Sequence, residues 1–104
     1  MDFVKIAGVK SKKHNPSTFE QAFGNAVLAW RKKRGWSQMD LAVASGYSLR
    51  YIGDIERGAK SATMRTMHDL ASLLDVRLSV LVAETEDLWE SDSKARVRSP
   101  KPRR

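Results

Sequence analysis

With 104 residues the chain has room for one domain and a modest core, so its stability rests on well-packed helices or on pairing with a second copy. Its 19 Lys and Arg against 12 Asp and Glu leave a net charge of +7, which suits a polyanionic partner. The absence of cysteine excludes a disulfide framework, a thiolate zinc site and a thiol nucleophile. His14 and His68 lie far apart without ligand-like neighbours, so no metal and no other cofactor is expected. No apolar run approaches the ~20 residues that span a bilayer. The opening MDFVKIAGVK also lacks a long apolar stretch and a small-residue cleavage pattern. A soluble cytoplasmic protein with no membrane partner is the expectation.

Residues 1–16 read as an N-terminal arm. Within it Phe3-Val4-x-Ile6 fits either a short strand or an extra helical turn, and Lys12 to Pro16 reads as a linker. From residue 17 to residue 90 the pattern is helical, broken at short intervals. Ser17 or Thr18 caps a first helix whose face carries Phe19, Phe23, Val27 and Trp30 at steps of four, four and three. Arg31 to Arg34 complements the negative end of that helix, and Gly35 stops it. Ser37 caps a second helix, Gln38 to Ala44, closed by Gly46, and Ser48 caps a third, Leu49 to Arg57, closed by Gly58. Thr63 caps a fourth, Met64 to Leu74, with Met64, Met67, Leu70, Ala71 and Leu74 on one side. A fifth starts near Ser79, although Val76 to Val82 is apolar enough to be ambiguous. Glu84, Glu86, Asp87 and Glu90 then form an acidic patch, and residues 91–104 carry six basic groups and two prolines. That last stretch buries too little apolar surface to offset its ordering entropy and is expected to be a disordered basic tail. The fold class is all-α, with five helices between an arm and a tail.

The informative stretch is Gln38 to Arg57. Two short helices that cross steeply need a small residue at their contact, here Ala42. They also need a turn residue that tolerates positive φ, here Gly46. Leu41, Ile52 and Ile55 supply the inner face. The same spacing fits any helical hairpin with a glycine turn, and spacing alone leaves both readings open.

Phe23-Gly24, Val27, Trp30-Arg31, Gly35-Trp36-Ser37-Gln38, Leu41-Ala42, Gly46, Tyr51-Ile52, Ile55-Glu56-Arg57-Gly58, Leu70-Ala71, Leu74, Val76 and Leu78-Ser79 together resemble the Xre/Cro-type helix-turn-helix family. The resemblance implies the five-helix lambda-repressor-like DNA-binding domain and transcription regulation, with an autoregulatory repressor as the leading expectation. Two positions depart from the family pattern. Asp75 stands where glycine usually ends the fourth helix, and Ala62 where proline is frequent.

In this family the third helix enters the major groove with its N-terminal side chains on base edges. Carried over by position, the DNA-binding residues are Ser48, Leu49, Arg50 and, one turn on, Asp54. Arg50 is suited to guanine O6 and N7, and Leu49 to a thymine methyl. Asp54 either accepts from a cytosine amino group or orients Arg50. Tyr51 offers its hydroxyl to a phosphate, Gln38 faces the backbone and braces the first reader, and Lys60 with Ser61 holds a second phosphate. Arg31 and Glu56 correspond to the family's partly buried structural ion pair. Phe19, Phe23, Trp30 and Trp36 fall at core positions, whereas Leu88 and Trp89 offer a dimer contact.

The expected partners are double-stranded operator DNA and a second copy of the chain. A second reading is an antitoxin that meets a toxin through residues 91–104 and represses its own operon. A restriction-modification controller and a prophage repressor fit the core equally well. An enzyme is not expected, because nothing pairs a nucleophile with a base at usable geometry.

Overall fold

The computed structural model describes Pro16 and residues 18–96. The readings that fall on residues 1–15, 17 and 97–104 lie outside the described residues. Five helices follow one another: α1 (Phe19–Lys33), α2 (Gln38–Ser45), α3 (Leu49–Arg57), α4 (Met64–Leu73) and α5 (Leu78–Arg96). None is long and apolar enough to cross a membrane.

Short polar side chains start four of them. Thr18, Ser37, Ser48 and Thr63 are extended, and each accepts from the backbone N–H three residues on, satisfying a donor the helix leaves free. At α2 the cap is reciprocal, since Asp40 accepts from the Ser37 N–H at 2.8 Å. Asp75 ends the α4 turn at φ 61, a left-handed conformation that aspartate tolerates better than most residues. The apolar run from Val76 resolves into a turn followed by α5, which begins one residue before the expected Ser79.

Leu41, Ile52, Ile55, Leu70, Leu74 and Leu81 are fully buried and bring all helices except α1 into one core, to which α1 adds Phe23, Ala26 and Val27. Two apolar side chains expected in that core are elsewhere. Met64 stands 72% exposed in the first turn of α4, and Phe19 is 43% exposed, edge-on to Trp89 at 6.0 Å. Trp89 thus packs against its own chain's α1 while remaining partly exposed beside Leu88. Trp30 adds a second tie between these helices by donating its Nε1–H to Glu84.

α5 continues through Arg96, six residues into the stretch read from composition as a tail. Ser91 to Arg96 contains neither glycine nor proline. Extending an existing helix fixes one residue per hydrogen bond gained, which is far cheaper than starting one.

The turn between α2 and α3 is tied to α4 by an aromatic pair. Tyr47 and Tyr51 meet edge-on at 5.3 Å; the Tyr47 hydroxyl donates to Asp69 at 2.7 Å, and the Tyr51 hydroxyl lies 3.3 Å from Thr66 Oγ1. The Tyr47 hydroxyl, with Arg65 adding its charge, holds the Asp69 carboxyl below the usual carboxylate range. A carboxyl lowered on folding contributes stability that is complete above its unfolded pKa and is lost as pH falls through the folded value. Tyr47→Phe is expected to return the Asp69 titration, followed by NMR, toward the ordinary range. The stability gap between the two proteins at neutral pH then closes on acidification. An unchanged Asp69 titration in the variant would remove this hydrogen bond as the cause.

Candidate nucleic-acid interface

Gly46 closes α2 at φ 81, and its N–H donates to Ala42 at 2.9 Å. Ala42 is buried with almost no side chain to keep the helices apart, so α3 can cross close to α2. This places the first turn of α3 on the surface. Leu49 is 42% exposed, and the Arg50 side chain is 86% exposed. Ser48 accepts from the Tyr51 N–H at 3.0 Å, which leaves its own hydroxyl proton for another partner. The structure thus brings Ser48, Leu49 and Arg50 together at one exposed helix start, as the resemblance implies.

The expected ion pair is present and forked. Arg31 donates to Glu56 through Nε at 2.7 Å and Nη2 at 2.9 Å, and its Nη1 reaches the Trp36 carbonyl at 2.9 Å. The Glu56 carboxylate keeps the Arg31 guanidinium firmly protonated. Both side chains are buried, so the pair joins the end of α1, the turn before α2 and the end of α3.

Several other residues are occupied in ways the sequence does not reveal. The Gln38 side chain donates its Nε2–H to Glu56 at 2.9 Å and so braces the buried pair. Tyr51 is half-buried, with its hydroxyl 3.3 Å from Thr66 Oγ1. Ser61 donates its hydroxyl to Glu20 at 2.9 Å, which removes that proton from any phosphate contact. Asp54 is 6% exposed and bonded to Arg57, with Arg50 and Lys60 also close; it is not an open acceptor for a base. The i,i+4 and i,i+3 spacings of Arg50, Asp54 and Arg57 were the available signal for that cluster. Lys60 keeps an exposed ammonium beside the end of α3.

Glycines set how closely α1 and α3 approach. A Cβ on Gly24 would lie 2.4 Å from the carbonyl oxygens of Ile55 and Glu56, and one on Gly58 would lie 2.7 Å from the Gln21 Cα. α3 is therefore held by backbone contact at its C-terminal end while its N-terminal end stays open.

Comparison with known proteins gives the same picture. The uncharacterized HTH-type transcriptional regulator y4dJ of Sinorhizobium fredii is 33% identical over 64 residues, which cover 62% of this chain and 83% of that protein. The immunity repressor protein of Bacillus phage phi105 is 33% identical over 61 residues, covering 59% of this chain and 42% of the phage protein. The crystal structure of the restriction-modification controller protein C.AhdI from Aeromonas hydrophila superposes with a TM-score of 0.58 at 32% identity, over 60% of this chain and 94% of that one. Residues 27–81 match the helix-turn-helix family model, and the chain belongs to that family as an Xre/lambda-repressor-like DNA-binding transcriptional regulator.

Proposed function

We propose that this regulator is a cytoplasmic repressor that reads its own operator as a homodimer, with α3 in the major groove and one half-site per copy. Arg50 donates to guanine, Leu49 packs on a thymine methyl, and Ser48 hydrogen-bonds at the same end. Lys60 and the backbone N–H groups that open α2 hold phosphates on either side. The protein acts by binding and performs no chemistry. The observation that carries this reading is the exposed Arg50 and Leu49 at the start of a helix whose other end is locked to α1. A dimer would draw on Val80 and Leu88, the exposed apolar side chains of α5, now that Trp89 packs within its own chain.

The test is a titration against the protein's own promoter fragment and against random duplex. A preference of about 10³-fold or more for the promoter is expected. Arg50→Ala should weaken promoter binding by about 1–3 kcal/mol while leaving random DNA much less affected. Equal losses on both DNAs would reduce Arg50 to a phosphate contact. The likeness to C.AhdI favours a second reading, a controller of a restriction-modification operon. In that case the preferred site lies upstream of a methylase or endonuclease gene.

A further inference from the structure

Three cations on the reading side of the molecule converge on one buried carboxylate. Asp54 Oδ1 accepts from Arg57, while Arg50 Nε and Lys60 Nζ each lie 3.9 Å from Oδ2. The Asp54 side chain is only 9% exposed, whereas those of Arg50, Arg57 and Lys60 are 86%, 64% and 59% exposed. The anion therefore sits beneath a fan of positive groups whose heads remain in water. Its members come from different places in the chain: Arg50 from the first turn of α3, Arg57 from its last residue and Lys60 from the linker to α4. Coulomb attraction at a partly desolvated site is stronger than between surface side chains, so the fan has a preferred shape before DNA arrives.

We propose that Asp54 is a specificity-determining positioning residue: an internal anion that aims Arg50 and Lys60 and weakens binding to DNA that offers phosphates alone. The proposal rests on α3 being the reading helix, as argued above. Nonspecific binding is almost entirely phosphate attraction. A negative charge under the cationic surface opposes that attraction on every sequence alike. At the operator the opposition is offset, because an arginine already held in place loses less freedom when it meets its base. Asp54 thus separates specific from nonspecific affinity without touching a base. A base-reading Asp54 would instead alter preference at one base pair, and a purely structural Asp54 would alter stability and leave discrimination unchanged.

The experiment compares the full-length protein with Asp54→Asn and Asp54→Glu. Each is titrated against the promoter fragment and against random duplex of equal length over a salt series, with thermal melting as the folding control. Asp54→Asn is expected to bind random DNA roughly three- to tenfold more tightly. Its binding to the promoter stays the same or weakens, so the ratio between the two falls about tenfold or more. Asp54→Glu keeps the charge and should hold its random-DNA affinity within about twofold of the parent, the small change expected when charge count is preserved. It also serves as the second variant if the asparagine protein melts below the assay temperature. An unchanged ratio in Asp54→Asn, or a shift confined to one base pair, overturns the proposal. Failure of the parent protein to prefer its promoter would instead sink the assignment of α3 as a reader. The random-DNA comparison tests Asp54 in either event.

Discussion

Glu56→Ala is expected to lower the unfolding free energy by about 3–5 kcal/mol, close to the whole margin of a small domain. The carboxylate receives both donors of the Arg31 fork and the amide of Gln38, at 2.7–2.9 Å. Its removal leaves a guanidinium that is 6% exposed with only the Trp36 carbonyl as a partner. The loss is thus mainly the energy of stranding a buried charge, not the net worth of the pair. The two are separated by the double variant Arg31→Met, Glu56→Leu, which should be more stable than Glu56→Ala because no charge is left behind. Urea unfolding of the single and double variants at one protein concentration measures this. A loss below about 1 kcal/mol for Glu56→Ala, the range of a surface pair, would mean that the network does not hold α1, α2 and α3 together.

The second large effect is expected at Gly24, where alanine should destabilise by about 3 kcal/mol, at the upper end for an overpacked site. The added carbon would stand 2.4 Å from two carbonyl oxygens of α3. These are backbone atoms, so no rotamer change relieves the clash and α3 itself must shift. Promoter binding should fall by more than the unfolded fraction accounts for, because the displaced element is the reading helix. Gly35→Ala is the matched control. That glycine has φ 79 with no atom near the added carbon, so only the local left-handed strain of roughly 1–2 kcal/mol applies. Similar melting temperatures for the two variants would refute the close approach as the reason for Gly24.

Local chemistry made most of the fold legible in advance. The caps at Ser37, Ser48 and Thr63, the left-handed closures at Gly46 and Gly58 and the tolerance of Asp75 all act within a few residues, so short-range reading finds them. What escaped depends on contacts between distant segments. Gly24 looks like an ordinary interior helix glycine until α3 lies against it. Phe19 has the spacing of a core residue but sits in the first turn, where only Trp89 covers it. Residues 91–96 have the composition of a tail, whereas helix propagation depends on what precedes it, and α5 runs through Arg96. In the interface, Ser48, Leu49 and Arg50 were legible because family position determines their exposure. The partners of Gln38, Tyr51 and Ser61 were not, since each lies on another element, while for Asp54 the i,i+4 spacing pointed to Arg50 but not to Lys60.

The openness of the α3 start has an evolutionary consequence. Leu49 and Arg50 project from a scaffold whose rigidity depends on Gly24, Arg31, Glu56 and Gly58. Substitutions at such exposed positions usually change stability by no more than about 0.5 kcal/mol. With α3 as the proposed reader, a lineage carrying this scaffold can therefore exchange one operator for another through one or two side chains without first acquiring spare stability. Drift in regulatory targets is thus inexpensive for this protein, whereas drift in the angle at which α3 is presented is almost closed to it.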